Sequence, residues 1–168
     1  MRVLIATASK HAGTAEIAAR IGRVIGEHGH DVRVEEATEV HSVDDVDAVL
    51  LGSGVYVGHW LPAAVQLVER LETGLRARPV WLFSSGPSGD PPRPDPAHSV
   101  DVSDLMVRTG ARAHQVFSGR LDRHQLGFGE KLVLTAVRAA DGDFRDWDQI
   151  ESWAGTVADE LGHVAQDG

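Results

Sequence analysis

A short polar segment near the start of the chain contains residue types that bind an anion. The apolar run 3–6 leads directly into Thr7-Ala8-Ser9-Lys10-His11-Ala12-Gly13-Thr14, after which apolar residues recur at helical spacing from Ile17. A strand that turns at once into a helix directs backbone N–H groups and the positive end of the helix dipole at one point. The segment lacks the Gly-Lys-Ser/Thr ending of a nucleoside-triphosphate loop and the Gly-x-Gly-x-x-Gly spacing of a dinucleotide fold. We therefore predict that it binds the phosphate of a monoester.

Two further segments have the composition of loops around a flat ring. Glycines lie beside aromatic residues in Gly52-Ser53-Gly54-Val55-Tyr56-Val57-Gly58-His59-Trp60. Glycine lets the backbone approach a ligand closely, and aromatic side chains stack on planar groups. The alternative is that Trp60 packs at the start of a helix and Tyr56 lies on the surface. The segment Ser84-Ser85-Gly86-Pro87-Ser88 is placed to close on the same ring through its backbone amides.

Strands and helices alternate around these loops. Apolar, β-branched runs predict five strands, at 3–6, 32–34, 46–51, 80–84 and 113–117. Helical periodicity predicts helices over 13–28, from Leu61 to about Gly74, over 100–109, over 126–140 and from Asp146 onward. This alternation predicts one α/β domain over residues 1–168, with a parallel sheet between two layers of helices. In such sheets the ligand binds at the carboxyl ends of the strands.

Composition excludes several classes of function. The chain has 168 residues, no cysteine and a formal net charge of −9. A domain of this length needs no disulfide or metal to fold, and its acidity argues against nucleic-acid binding, which requires clustered Lys and Arg. No apolar run approaches the roughly 18 residues that a membrane span requires. We expect a cytoplasmic protein, with peripheral membrane association as an alternative.

Other site chemistries have little support in the sequence. The nine histidines show no i,i+4 pair of the kind that binds metals on a helix, so no metal site is expected. The serines at 84, 85 and 88 lack the Gly-x-Ser-x-Gly pattern of a hydrolase nucleophile. A receiver-type regulatory domain would need an aspartate after the third strand, where Gly52-Ser53 stands.

Several segments together resemble the flavodoxin family, and more narrowly the flavodoxin-domain proteins that include the menaquinone-dependent protoporphyrinogen oxidases. Besides the three loops, the resemblance covers Phe117-Ser118-Gly119-Arg120-Leu121-Asp122 and Gly142-Asp143-Phe144-Arg145-Asp146-Trp147. These last two segments are similar to the oxidase-like branch, whereas flavodoxins in general share only the phosphate loop. The resemblance implies a flavodoxin-like three-layer sandwich whose five-stranded parallel sheet has the order 2-1-3-4-5.

The same resemblance implies FMN as the cofactor. Its binding residues would be Ser9, Lys10, His11, Ala12, Gly13 and Thr14 at the phosphate, and Ser53, Gly54, Val55, Tyr56, Val57, Gly58, Ser85, Gly86, Pro87 and Ser88 at the ring. It implies an FMN-dependent oxidoreductase that oxidises protoporphyrinogen or a similar substrate with a quinone acceptor. The alternatives are an electron carrier between proteins and a degenerate, non-redox binding module. No catalytic residue is assigned, although His59 is the best acid–base candidate beside the ring loop.

Position 12 departs from the family pattern. Family loops usually carry glycine two residues before the final threonine, where this chain has Ala12. If the position adopts a positive φ, alanine costs about 1 kcal/mol or more, and FMN binding is several-fold weaker.

Overall fold

The chain alternates between strands and helices, as the sequence predicts. A computed structural model describes residues 1–56, 58–86, 100–121 and 142–167. Its strands are β1 (Arg2–Ala8), β2 (Asp31–Glu36), β3 (Ala48–Tyr56), β4 (His59–Trp60), β5 (Val80–Gly86), β6 (Ala113–Ser118), β7 (Arg120–Leu121) and β8 (Gly142–Asp143). Its helices are α1 (Gly13–Glu27), α2 (Pro62–Arg76), α3 (Ser103–Thr109) and α4 (Trp147–Asp167). The helix predicted over 126–140 lies outside the described residues.

Five strands form a parallel sheet in the order β2-β1-β3-β5-β6. Strand β4 is a two-residue antiparallel addition to the end of β3. The five main strands therefore follow the predicted order 2-1-3-4-5, which confirms the fold class. The short strands β7 and β8 pair with each other in a separate two-stranded sheet; two residues are too few to show an alternating pattern, so the sequence does not predict them.

Each face of the main sheet is covered by a different pair of helices. On β1, Leu4 and Ala6 pack in the core that contains the apolar faces of α2 and α3. Their neighbours Val3 and Ile5 pack in the core that contains the apolar faces of α1 and α4. Both faces of the central strands are buried, which explains why these strands read as continuous apolar runs. In the edge strand β2, Val32 and Glu35 are half-buried and the other residues are exposed.

Strand β3 is longer than predicted. It continues through Tyr56 and turns back into β4, so that Val55 lies opposite Trp60 and Tyr56 opposite His59. The glycines of this segment are typical of a loop, and only the antiparallel pairing makes it a hairpin. The hairpin holds the predicted ring loop against the sheet.

The start of α4 is confirmed as predicted. The carboxylate Oδ1 of Asp146 accepts a hydrogen bond of 3.0 Å from the backbone N–H of Gln149. This contact caps the first turn of the helix, where backbone N–H groups have no partner within the helix.

Candidate functional site at the carboxyl edge of the sheet

The strand register brings the three predicted loops to one edge of the sheet. Ala8 at the end of β1 lies beside Ser53 of β3, and Gly54 lies beside Ser85 of β5. Gly86, the last residue of β5, pairs with Ser118 of β6. The ends of β1, β3 and β5 therefore lie side by side at this edge of the sheet. Val57, Pro87 and Ser88, which the sequence also assigns to this site, lie outside the described residues.

The segment 7–14, called here the phosphate loop, turns sharply at Ala12. This residue has a φ of 59° and is the one non-glycine residue with a positive φ in the described part of the chain. The Gly13 amide donates to the carbonyl of His11 at 2.8 Å, and the Glu16 amide donates to the carbonyl of Ala12 at 2.9 Å. Position 12 therefore has the positive φ considered above, and an alanine occupies a conformation that favours glycine.

The donors of the first turn of α1 suit a phosphate group. No side chain caps this helix, and within residues 1–56 and the other described ranges the amides of Thr14 and Ala15 have no acceptor. Thr14 is a buried residue, and its hydroxyl oxygen lies 3.3 Å from the position that a Cβ on Gly54 would take. The hydroxyl can therefore donate to a ligand oxygen placed in the space that Gly54 leaves. Ser9, half-buried at the other end of the loop, adds a second hydroxyl.

Gly54 keeps space in front of the Thr14 hydroxyl. A Cβ atom on Gly54 would lie 3.3 Å from Thr14 Oγ1 and 3.7 Å from a methyl carbon of Leu61. These distances are shorter than or equal to ordinary contacts, so a side chain at this position would fill the space between the phosphate loop and the ring loop. Gly52 is required for a different reason. A Cβ there would lie 2.1 Å from the Phe83 ring, so a glycine at this position lets Phe83 pack in the core.

Lys10 and Tyr56 connect the phosphate loop to the ring loop. The Lys10 ammonium lies 4.7 Å from the centroid of the Tyr56 ring, a cation–π distance. Tyr56 is 39% exposed, which leaves part of its ring accessible at this edge. The sequence places Lys10 at the phosphate, whereas the structure places its charge on the ring side. His11, the next residue along the chain, is half-buried, and its Nε2 atom is inaccessible to solvent.

Ser53 is engaged within the protein. Its buried hydroxyl donates to the Gly54 carbonyl at 2.8 Å and accepts from the Leu61 amide at 3.0 Å. These contacts join the end of β3 to the start of α2, so the hydroxyl of Ser53 fixes the shape of the ring loop. Its assignment as a cofactor contact stays a prediction, as do those of the other site residues.

A buried polar chain anchors the hairpin on the neighbouring strand. The indole N–H of Trp60 donates to Ser84 Oγ at 2.7 Å, and Ser84 Oγ lies 2.7 Å from His114 Nε2. Burial lowers the pKa of His114, so the ring is neutral at pH 7 and its Nε2 can accept the Ser84 proton. Trp60 thus takes the packing role that the sequence leaves as an alternative. Ser84 is fully buried and has no access to a substrate, although its histidine partner was not evident from the sequence.

Gly119 and Gly86 are in close backbone contact at the far side of the site. A Cβ atom on Gly119 would lie 2.4 Å from the Gly86 carbonyl oxygen and 3.2 Å from Ser85 Oγ. No side chain fits there. This contact lets the chain leave β6 directly over the end of β5 and continue into β7.

A buried arginine ties β8 to the start of α1. The Arg145 side chain is 3% exposed and donates to the Asp143 carboxylate at 2.7 and 2.5 Å. It also donates to Glu16 of α1, and its guanidinium lies 4.6 Å from the Trp147 ring centroid. The Arg145 contact holds the pKa of Asp143 below its usual value. This cluster lies beside the phosphate loop because Glu16 is in the first turn of α1.

Strand β7 packs directly on the phosphate loop. A Cβ atom on Gly13 would lie 3.7 Å from the Cβ of Arg120. Arg120 Nη1 is 3.7 Å from Glu16 Oε1. The two segments that resemble the oxidase-like branch therefore contact the first turn of α1. Sequence reasoning does not place them there, because β7 is far from residue 13 in the chain.

The described residues form neither a metal centre nor a membrane span. Among them, no cluster of three or more His, Cys, Asp or Glu side chains is arranged to hold a metal ion. None of the described helices combines the length and apolar character of a membrane span.

This sheet order defines a doubly wound α/β protein, a class in which ligands bind at the carboxyl edge of the sheet. A family model described as the flavodoxin domain matches residues 4–148. The chain belongs to the flavodoxin-domain family. No curated protein matches it significantly in sequence.

Solved structures of flavodoxins are similar to this fold over nearly the whole chain. A flavodoxin from the domain Archaea has a TM-score of 0.65 and 16% identity, covering 97% of this chain and 100% of that one. A flavodoxin of Streptococcus pneumoniae TIGR4 has a TM-score of 0.64 and 18% identity, covering 95% and 99%. Rubredoxin:oxygen oxidoreductase of Desulfovibrio gigas has a TM-score of 0.65 and 14% identity, covering 96% of this chain and 36% of that one. At these identities the likeness concerns the fold.

Proposed function

We propose that the chain binds FMN at the carboxyl edge of the sheet and acts as a redox protein. The observation that carries this proposal is the first turn of α1, which no side chain caps and where the amides of Thr14 and Ala15 have no backbone acceptor in the described part of the chain. The Thr14 hydroxyl lies beside these amides, next to the space that Gly54 leaves. These donors match the oxygens of a phosphate group. Membership of the flavodoxin-domain family supports FMN as the molecule that carries it.

Different residues of the site would contact different parts of FMN. Thr14 and Ser9 would donate hydroxyl hydrogen bonds to the phosphate. Gly54 leaves the space for the ligand, and the exposed part of the Tyr56 ring would contact the isoalloxazine. When bound, FMN supplies the electron-transfer chemistry, which the protein tunes by placement and charge. The hydrogen bond from Trp60 to Ser84 keeps the ring loop fixed against β5.

Flavin titrations test this proposal. The purified protein is titrated with FMN and with riboflavin, which lacks the phosphate, and binding is followed by flavin fluorescence. Thr14→Ala removes a hydrogen bond to a charged group, which is worth about 1.5–3 kcal/mol, so FMN affinity should fall roughly 10- to 100-fold while riboflavin affinity changes little. Thr156→Ala is the control, since this exposed threonine of α4 bonds only its own helix, at Ser152 O. Equal losses for both ligands would show that the loop does not hold phosphate.

We also propose that the protein is a catalyst with a quinone acceptor and a protoporphyrinogen-like substrate. Support comes from the resemblance of residues 117–122 and 142–147 to the oxidase-like branch, and these segments contact the first turn of α1 through Arg120 and Arg145. The FMN-loaded protein should then oxidise protoporphyrinogen over many turnovers, with each naphthoquinone taking two electrons and two protons to become a quinol.

The net charge of −9 favours an electron carrier as the second candidate. A carrier would exchange electrons rapidly with a basic protein reductase, at rates that fall steeply as salt screens the charges. Quinone-coupled turnover no faster than that of unbound FMN, together with rapid and salt-sensitive exchange with a reductase, would decide for the carrier. A third outcome, failure to bind any flavin, would favour the degenerate binding module, for which the strained Ala12 is the supporting feature.

A further inference from the structure

We propose that Arg120 is a further phosphate-binding residue, which Glu16 holds beside the loop in the absence of ligand. This inference rests on the proposed binding of FMN. It adds to the site a residue that lies more than 100 positions from the phosphate loop in the chain.

The backbone of Arg120 is fixed at the phosphate loop. The close contact of Gly119 with the Gly86 carbonyl sets the direction in which the chain leaves β6. Pairing of Arg120 with Asp143 then holds β7 in place. As a result, the Cβ and amide nitrogen of Arg120 would lie 3.7 and 3.9 Å from a Cβ on Gly13, the residue before Thr14. The side chain of Arg120 therefore starts beside the donors that would hold the phosphate.

The two arginines at Glu16 differ in how firmly they are held. Arg145 is buried and donates to both Glu16 and Asp143, so its charge is fully used within the protein. The Arg120 side chain is 40% exposed, and its Nη1 is 3.7 Å from Glu16 Oε1, which is longer than a hydrogen bond. Exposed ion pairs of this kind contribute little to stability. Arg120 can thus leave Glu16 at small cost.

The position of Glu16 shows that the Arg120 side chain can reach the phosphate donors. Glu16 lies three residues beyond Gly13, which is about 4.5 Å along the helix axis. If the Arg120 side chain rotates so that its guanidinium moves a similar distance toward the start of α1, the guanidinium reaches the phosphate loop. A phosphate monoester carries close to two negative charges at neutral pH, and a guanidinium binds two of its oxygens at once.

Lys10 is a cation within the phosphate loop itself, but its charge lies on the other side of the site. Its ammonium lies over the Tyr56 ring on the ring side of the site. Arg120 is accordingly the exposed cation that the described structure places next to Gly13 and Thr14.

Affinities for FMN and riboflavin in four proteins test the inference: wild type, Arg120→Gln, Arg120→Lys and Arg76→Gln. Arg76→Gln is the matched control, because it removes the same charge from the end of α2, at the opposite edge of the sheet. There the Nη1 of Arg76 donates to the Val107 carbonyl. Arg120→Gln should weaken FMN roughly 10- to 100-fold and leave riboflavin unchanged. Its FMN affinity should also depend less on salt. Arg120→Lys should lose less, since it keeps the charge without the two-point contact.

The outcomes separate this inference from the proposed function. A wild-type protein that binds FMN no better than riboflavin would refute phosphate binding as a whole. A wild-type preference for FMN that persists in Arg120→Gln would refute only the role of Arg120. If Arg120→Gln unfolds, Arg120→Lys still decides: full wild-type FMN affinity and wild-type salt dependence count against a bidentate contact, and a selective loss of FMN affinity supports it.

Discussion

Replacing Ala12 with glycine should stabilise the protein. Ala12 has a φ of 59° at the turn into α1. Its side chain is exposed, so removing the methyl group sacrifices no buried contact. The substitution therefore acts almost entirely through the backbone, which makes it a direct test of the conformation of the phosphate loop.

The magnitude follows from two opposing effects. A left-handed conformation costs a residue with a Cβ about 1–2 kcal/mol, and glycine removes this cost. Glycine also gives the unfolded chain more freedom, which opposes folding by about 0.4–1 kcal/mol. The net gain should be about 0.5–1 kcal/mol. For a protein of 168 residues this raises Tm by about 1–4 °C.

Urea unfolding and calorimetry of three proteins measure the effect. Ala12→Gly should raise the urea midpoint without changing the slope of the transition, and FMN affinity should be equal or tighter. Ala15→Gly is the control, because Ala15 lies within α1, where glycine costs about 0.5–1 kcal/mol. A loss of stability in Ala12→Gly as large as that in Ala15→Gly would refute the positive φ at position 12. A large loss of FMN affinity would show that alanine is well accommodated in the bound loop.

Three further substitutions test the surroundings of the site. Gly119→Ala should lower the free energy of unfolding by about 1–3 kcal/mol or more, because its Cβ would lie 2.4 Å from the Gly86 carbonyl oxygen. Gly155→Ala is its control in chemical denaturation, since nothing lies within 4 Å of a Cβ at that position. His114→Gln should flatten the dependence of stability on pH: burial lowers the pKa of His114, so the unfolded chain takes up the proton more readily and wild-type stability falls as pH drops below about 6.5. Identical slopes between pH 7 and 5 in both proteins would contradict this. Tyr56→Ala should change the visible spectrum of bound flavin and raise its midpoint potential, because an electron-rich ring disfavours the reduced anion; unchanged values would leave Tyr56 as a surface residue.

Local patterns were enough to predict the order of the main strands and helices and the turn from β1 into α1. The apolar runs of β1 and β3 and the helical spacing that begins at Ile17 depend on neighbouring residues in the chain, because burial on both faces of a parallel strand leaves a continuous apolar sequence. The strain at Ala12 could also be anticipated as a condition, because the loops of the family that the sequence resembles usually have glycine at this position. The cap at Asp146 is likewise local.

The sequence was less informative about the ring loop. Its glycines and aromatic residues look alike in the sequence but have different roles in the fold: Gly52 makes room for Phe83 within the core, and Gly54 keeps space beside Thr14. Trp60 is buried and Tyr56 is partly exposed because β4 pairs back on β3. Composition alone cannot distinguish these roles, since they depend on which face of the sheet each side chain meets.

The sequence by itself determined the class of fold, and it predicted the edge of the sheet at which a ligand would bind. Only the tertiary structure decided the partners of the long, charged side chains. Arg145 reaches Glu16 across 129 residues of chain, and Arg120 meets Gly13 only because Gly119 passes tightly over Gly86. The physical reason is that a flexible charged side chain can pair with many carboxylates or anions, and the packing of distant segments determines which of them lies within reach.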